Sequence, residues 1–257
     1  MNKATALKTT DIRPDIGIRC EGNTYARTYP GPNWPFGGCQ PGPDCVTGWD
    51  YTNGYSHDLR YIEGFSFLRM SGVGWYGDYG NLQVMPTTGP LRTWRGSEQH
   101  PQKDESKPCW RSRFYHNTEH IETGYYAVQL HDYNIRAEMT ATQHCGILRF
   151  TFPQADTARI QVDLARRIGG SSSYQEFEVV DDHTVEGHMV CGPEDGGFGN
   201  GHAKDLRYTV YFRMEFSRPL TKFGAWSVEF PEGTRRDCTF ITTEEFAEFS
   251  RNATVHP

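Results

Sequence analysis

The stretch that decides the fold runs from Ile135 to Pro153 and reads IRAEMTATQHCGILRFTFP. Apolar and polar residues alternate along it, first over residues 135–142 and again over 148–152. Such alternation indicates strands with one buried face, because successive side chains of a strand point to opposite sides of the sheet. We therefore predict an all-β fold of the β-sandwich class, with a short helix at Thr243–Ser250 and further strands of the same pattern at 160–164, 207–216 and 226–230.

Length and charge narrow the possible functions. A chain of 257 residues suits one large all-β domain, so we expect a single β-sandwich domain over residues 1–257. A net charge of -6 offers no basic surface for phosphate, which argues against a nucleic-acid partner. The chain also has no run of about 18 apolar residues, and its first ten residues lack the apolar centre of a signal peptide. Neither a membrane span nor a visible secretory signal is predicted.

Cysteines and histidines give little evidence for a metal site. The seven cysteines leave at least one unpaired and form no CxxC pair, and Cys39 and Cys45 are the best candidates for a local disulfide. His116 and His120 have the spacing of two ligands on one helical turn, but the residues around them look like strand and turn. No metal ion is therefore expected to be bound by this chain alone.

The first 110 residues differ from the rest, because they are rich in Gly, Pro and aromatic residues and are expected to form long loops on a scaffold. One segment, GFSFLRMSGVGWYGDYGNLQVMPTTG at residues 64–89, contains what we call the glycine loop, residues 71–80. Glycines let a ligand approach the backbone, while aromatic rings and a carboxylate supply stacking and hydrogen bonds. This pattern is typical of sugar binding, and a tight turn without a ligand role is the alternative. The candidate binding residues are Ser71, Gly72, Trp75, Asp78 and Tyr79.

Four ordered blocks of sequence resemble the N-terminal β-sandwich domain of the family 92 glycoside hydrolases, which are calcium-dependent exo-acting α-mannosidases. They are GNTYARTYPGPNWPFG at residues 22–37, the glycine loop with its flanks, the long block at residues 111–153, and RYTVYFRMEFSRPL at residues 207–220. Phe67 and Arg69 stand where the family usually has two histidines. The resemblance implies a galactose-mutarotase-like supersandwich and a glycan substrate, and the family suggests a secreted or periplasmic location.

The resemblance also implies how the chemistry is divided. In the family, the two catalytic carboxylates of an inverting hydrolase and most of the calcium environment lie in a C-terminal helical (α/α)6 barrel, which is not recognisable in this chain. We therefore expect no catalytic residue here and no activity from this chain alone. Trp49 and Asp50 lie where the family has a Trp-rich segment, and Trp49 is expected to stack on the leaving-group sugar at one end of the sandwich, near Trp75, Asp78 and Tyr79.

A second function remains open at this stage. The chain is either a pocket-shaping domain that works with a separate catalytic domain, or a freestanding lectin-like or structural β-sandwich without catalytic activity. The length of the parent gene would discriminate the two, because a frame of the family's size must also encode the barrel. The sequence does not specify the sugar or its linkage.

Overall fold

The computed structural model describes residues 8–19, 28–45, 54–69, 79–94, 108–167, 170–191, 207–226 and 238–241. These residues form strands, turns and two single-turn 3-10 helices, Thr9–Asp11 and His116–Thr118, and the described ranges contain no α-helix. The all-β prediction is confirmed. Backbone packing divides the chain into two compact units, Met1–Gly170 and Ser171–Pro257. The proposed helix at 243–250 and the proposed strand residues 227–230 lie outside the described ranges.

The first unit is built from short strands at its beginning and longer ones after residue 120. Its strands are β1 (Gly42–Asp44), β2 (Tyr61–Ile62), β3 (Gly64–Ser66), β4 (Gln83–Thr88), β5 (Ser112–Arg113), β6 (His120–Glu122), β7 (Tyr125–Leu130), β8 (Ile135–Ala141), β9 (Gly146–Thr151), β10 (Ala158–Asp163) and β11 (Arg166–Arg167), followed by β12 (Gly170–Ser171) at the division between the units.

Two four-stranded antiparallel sheets dominate the first unit. One has the order β1-β3-β4-β10 and the other β6-β7-β8-β9, while β2 and β5 form a separate pair. The ring of Phe65 on β3 lies 6.1 Å from that of Phe150 on β9, so side chains of the two sheets meet in a shared core. This is sandwich packing, in which each sheet covers the apolar face of the other.

Burial follows the predicted alternation in one sheet and departs from it in the other. Along β8 the side chains of Ile135, Ala137 and Met139 are buried while the intervening ones are partly exposed. In β10, however, Gln161 is more deeply buried than its apolar neighbours. Gln161 accepts a hydrogen bond from Thr87 and donates one to the Arg92 carbonyl, so the face predicted to be solvated is covered by other parts of the chain.

The described residues of the second unit form five strands besides β12, namely β13 (Tyr174–Val179), β14 (Thr184–Cys191), β15 (Tyr208–Glu215), β16 (Phe223–Trp226) and β17 (Cys238–Ile241). They form a three-stranded sheet of order β13-β14-β15 and a separate antiparallel pair, β16-β17. Val179 and Val185 form a core with partly buried aromatic and aliphatic residues around them. Side-chain burial alternates strictly along β15, as the sequence predicts.

The proposed Cys39–Cys45 disulfide is wrong, since both thiols are free. Strand β1 lies between the two cysteines and pairs with β3, which keeps this segment extended rather than turned back on itself. Cys45 is fully buried, and burial raises the pKa of its thiol well above the ordinary value. Within the described ranges, no helix is long and apolar enough to cross a membrane.

Candidate functional site

The structure describes one member of the predicted sugar site, Tyr79, at the end of the glycine loop. Its association with the other predicted residues stays a prediction, because they lie outside the described ranges: Trp49, Asp50, Ser71, Gly72, Trp75 and Asp78. The strands and side chains that carry the glycine loop are described, and they show how the loop is held.

The two ends of the glycine loop are tied together by backbone hydrogen bonds. The Gly80 N–H donates to the Leu68 carbonyl at 2.8 Å, and the Phe67 N–H donates to the Asn81 carbonyl at 3.3 Å. The chain therefore leaves β3 and returns to β4 at the same point. Ends anchored in this way on two paired strands are typical of loops that carry binding residues on a rigid scaffold.

The backbone is unusual where the loop returns to the sheet. Tyr79 has φ 67° and Leu82 has φ 55°, on either side of a Gly80 with φ 73°. Residues with a Cβ seldom adopt these left-handed angles, and each such residue costs of the order of 1–3 kcal/mol unless its surroundings enforce it. Backbone strain of this kind concentrates at binding sites and at ligand clamps.

A buried charge cluster, Asp44 with Arg69 and Arg166, lies beneath the ends of the loop. Arg69 Nη2 lies 2.6 Å from Asp44 Oδ1, and Arg166 Nη2 lies 3.7 Å from the same oxygen, with all three side chains inaccessible to solvent. Ser66 and Gln83 each donate to the Asp44 carboxylate at 3.0 Å. Because an isolated buried carboxylate is very unfavourable, this dense set of donors is what makes the buried charge tolerable.

The cluster connects directly to the loop. The Arg166 guanidinium donates to the Gly80 carbonyl at 2.8 Å, and Arg69 also stacks over the Tyr29 ring at 4.9 Å. Arg69 occupies a position where the resemblance expects histidine, and here it is a buried partner of a carboxylate. A second buried ion pair joins Glu63, between β2 and β3, to Arg111, directly before β5.

A separate open cleft of about 980 Å³ lies within the first unit. Its walls are formed by the amino-terminal segment 9–19 and by residues of the β5–β6 connection and β6. Threonine hydroxyls, an exposed Arg13–Asp15 ion pair and two exposed isoleucines face this region, namely Thr9, Thr10, Thr123, Ile12 and Ile16.

The polar floor of the cleft is an ordered set of aromatic and acidic groups. The His57 and His116 rings stack with centroids 3.7 Å apart and planes 8° from parallel. His116 Nδ1 lies 2.6 Å from Glu119 Oε2, and the hydroxyls of Tyr55 and Tyr126 donate to Glu119 Oε1 at 2.9 and 2.6 Å. The Glu119 carboxylate is thus buried and surrounded by donors, which leaves the imidazoles as the groups nearest to solvent.

The electrostatics of this floor favour the neutral form of His57. Burial lowers the pKa of His57, and the positive charges that His116 and Arg19 can carry lower it further. Burial also raises the pKa of Tyr55 and Tyr126, and the Glu119 carboxylate adds to that effect. Both tyrosines therefore remain hydrogen-bond donors, and His57 offers an uncharged ring to the cleft at neutral pH.

No calcium or zinc site is visible among the described residues, since no three His, Cys, Asp or Glu side chains converge there. His116 binds Glu119, whereas His120 lies 3.3 Å from Glu122 on β6. His116 begins a 3-10 turn and His120 begins β6, so they do not share the helical face that their spacing would require.

Sequence reasoning missed the two polar clusters. Asp44 is 25 residues before Arg69, and Glu119 is 64 residues after Tyr55. No local motif links partners so far apart. The available signal was that Arg69 replaces a histidine of the resembled family and that Glu119 lies inside a block resembling the family.

Comparisons with known proteins agree with this arrangement of strands. The model of the glycosyl hydrolase family 92 N-terminal domain matches residues 13–255. A family 92 α-mannosidase of Bacteroides thetaiotaomicron is similar in structure, with a TM-score of 0.72 and 28% identity over 91% of this chain and 31% of that one. An inverting family 92 mannosidase of the same organism shares the fold at a TM-score of 0.63 and 20% identity, over 98% of this chain and 35% of the other.

A curated relative is similar over a shorter range. It is an uncharacterized secreted glycosidase of Arthroderma benhamiae, 28% identical over 131 residues, which is 49% of this chain and 15% of the relative. The chain thus spans about a third or less of these two relatives' lengths, 31% for the α-mannosidase and 15% for the glycosidase. The family model covers nearly all of its residues, and the chain belongs to the glycosyl hydrolase family 92 N-terminal domain family.

Proposed function

We propose that this chain is the pocket-shaping N-terminal domain of a family 92 α-mannosidase, where it contacts the leaving-group sugar of an α-mannoside. The observation that carries the proposal is the glycine loop. Its ends are tied at Leu68 and Gly80, its return is strained at Tyr79, and its base is fixed by Arg166 of the buried charge cluster. A loop with anchored ends that carries aromatic residues and Asp78 has the residue types that sugar recognition needs, stacking faces and hydrogen-bond acceptors.

The hydrolysis itself is assigned to a separate C-terminal helical domain. Inversion requires an acid and a base on opposite sides of the glycosidic bond, about 6.5–9.5 Å apart. The similar α-mannosidase is about three times as long as the matched region, which leaves room for that domain. Calcium is likewise assigned to the assembled enzyme, and since the described residues of this chain do not fit a calcium site, no step is derived through it here.

The assembled enzyme is expected to act outside the cytoplasm. The name of the Arthroderma benhamiae relative describes a secreted glycosidase, and the family acts on glycans. A glycan substrate and the helical domain of the same enzyme are the proposed partners, with no role for nucleic acid or membrane.

The open cleft favours a second candidate function, a freestanding lectin-like protein. The cleft belongs entirely to this chain and combines hydroxyl groups with a stacked pair of imidazoles. Glycan binding by the 257-residue chain that is lost on replacing His57, and unaffected by replacing Trp49, would favour this alternative.

The decisive experiment compares Trp49→Ala with Trp34→Ala in the assembled enzyme. Trp34 is a half-exposed tryptophan outside the predicted site and serves as the matched control. Loss of a stacking platform should cost about 1–3 kcal/mol, or roughly 5- to 150-fold in kcat/KM on a disaccharide. An aryl mannoside, whose leaving group needs less recognition, should lose less.

The same assay tests the division of chemistry. The 257-residue chain alone should release no mannose, with or without calcium, because it lacks a recognisable acid–base pair. Turnover by this chain that one internal Asp or Glu substitution abolishes would overturn the proposal. Equal kinetics of Trp49→Ala and Trp34→Ala would remove the leaving-group role.

A further inference from the structure

Two cysteines far apart in sequence are neighbours in the first unit. Cys39 follows the segment 34–38, and Cys145 closes the turn between β8 and β9. The Gly38 N–H donates to the Gln143 carbonyl at 2.9 Å, which fastens this segment to that turn. Both thiols are free, with Cys39 buried and Cys145 exposed.

The position of the Cys39 sulfur brings it to the start of β9. A Cβ built on Gly146 would lie 3.0 Å from Cys39 Sγ, so the sulfur occupies the space beside Gly146, the residue that directly follows Cys145. Consecutive Cα atoms are about 3.8 Å apart. The absence of a side chain at Gly146 is what lets the sulfur approach the turn so closely.

The turn itself is well ordered. The Thr142 N–H donates to the Cys145 carbonyl at 2.8 Å, and the Cys145 N–H donates to Thr142 Oγ1 at 3.2 Å. Cys145 is therefore held at a fixed place beside the segment that carries Cys39. A disulfide needs Cα atoms within about 4.4–6.8 Å, and the Gly38–Gln143 hydrogen bond holds the two segments side by side, as a disulfide requires.

We propose that Cys39 and Cys145 form a disulfide that joins the segment 34–40 to the β8–β9 turn under oxidising conditions. The oxidant is a small-molecule disulfide such as oxidised glutathione. The exposed Cys145 thiolate attacks one glutathione sulfur and releases a glutathione thiolate, which gives a mixed disulfide. The Cys39 thiolate then attacks Cys145 Sγ and releases the second glutathione. Two protein thiols are oxidised and one glutathione disulfide is reduced to two thiols, which take up, through solvent, the two protons that the cysteines lose.

Burial sets the order and the speed of these steps. Burial raises the pKa of Cys39 to about 11, and the nearby Cys145 adds to that shift. Only a small fraction of Cys39 is thiolate at neutral pH, so ring closure is the slow step and should accelerate as the pH rises. Formation of the bond in the organism rests on the secretion proposed above, because disulfides persist in oxidising compartments. The reaction with glutathione does not depend on it.

The test is disulfide mapping of the reduced 257-residue chain after incubation with oxidised and reduced glutathione at pH 8. After acid quenching, thiols are alkylated in denaturant and the peptides identified by mass spectrometry. We expect a crosslinked pair of peptides containing Cys39 and Cys145, together with loss of two alkylatable thiols. The oxidised chain should also unfold several degrees higher, because the bond closes a loop of about 100 residues.

Two variants make the result specific. Cys145→Ser changes an exposed residue, and it should abolish the crosslink and leave Cys39 alkylatable. Cys45→Ala removes the cysteine that is nearest to Cys39 along the chain, and it should leave the crosslink intact. A glutathione adduct at Cys145 that persists at pH 8 without ring closure, or a crosslink from Cys39 to any other cysteine, would overturn the proposal. Neither outcome bears on sugar recognition, so this test fails or succeeds separately from the mannosidase assay.

Discussion

The buried charge cluster beneath the glycine loop gives the sharpest test of the structure. Replacing Asp44 by Asn keeps the size of the side chain but removes the negative charge that faces Arg69 at 2.6 Å and Arg166 at 3.7 Å. All three side chains are fully buried, so water cannot take the place of the lost carboxylate oxygen. The variant therefore leaves two buried guanidinium groups without their shared counter-charge.

The expected loss is large compared with the stability of a folded domain. Breaking a buried ion pair by removing one partner costs about 3–5 kcal/mol, whereas domains are stable by only about 5–15 kcal/mol. With a urea dependence of about 2–3 kcal/mol per molar, the midpoint of unfolding should fall by roughly 1–2.5 M. Hydrogen exchange should be faster at the Gly80 amide in this variant. That amide closes the loop by donating to Leu68, and the carbonyl of the same residue accepts a hydrogen bond from Arg166.

The matched control is Asp15→Asn, which breaks the exposed pair between Arg13 and Asp15 at 2.7 Å. Exposed pairs contribute at most about 1 kcal/mol, so its midpoint should hardly move. The double variant Asp44→Asn with Arg69→Met should lose less than the sum of the single changes, since each single change spoils the same pair. Equal midpoints for Asp44→Asn and Asp15→Asn, or strict additivity in the double variant, would refute the reasoning.

Three further predictions concern titration and backbone strain. The pKa of Glu138 should be about 2 by NMR, since Arg149 donates a hydrogen bond to its carboxylate. The stabilisation that this provides is complete above about pH 5 and is lost as the pH falls toward 2, so Arg149→Gln should reduce the loss of stability over that pH range. The pKa of His57 should lie below its ordinary value because of burial and the charge of His116, so the free energy of unfolding should fall as the pH drops below about 6.5. His116→Gln should raise the pKa of His57 by NMR titration, and an unchanged pKa would contradict the stacked pair. Phe36→Gly should raise Tm by roughly 2–4 °C, because Phe36 has φ 60° and a fully exposed ring; a lower Tm would mean that the ring packs in solution.

The strands after residue 120 were predictable because alternation is a local property. Ile135, Ala137 and Met139 are spaced by two, and any sheet that buries one of them buries all three. Alternation wrongly predicted that Gln161 on β10 is exposed. Its side chain is buried because it forms hydrogen bonds with Thr87 and with the Arg92 carbonyl. Periodicity describes one strand, whereas burial depends on everything packed against it.

The candidate site also has a part that the sequence predicted and a part that only the structure shows. The sequence alone predicted that the glycine loop and its aromatic residues bind sugar, since glycine content and residue type are visible without any contact, and this stays a prediction. It did not reveal Asp44 as the base of that loop, nor the His57–His116 stack over Glu119. These groups belong to different strands and turns, and nothing in the residues next to them identifies their partners.

The sequence by itself determined the all-β class and the family, because these rest on local spacing and on matched blocks. Only the tertiary structure decided which charges are buried together and which cysteines are neighbours. Cys39 has Cys45 close by in sequence, yet its sulfur lies beside Gly146, the residue after Cys145. Antiparallel pairing of β4 with β10 likewise places Gln83 opposite Asp163, and such pairing is a property of the whole sheet rather than of any one segment.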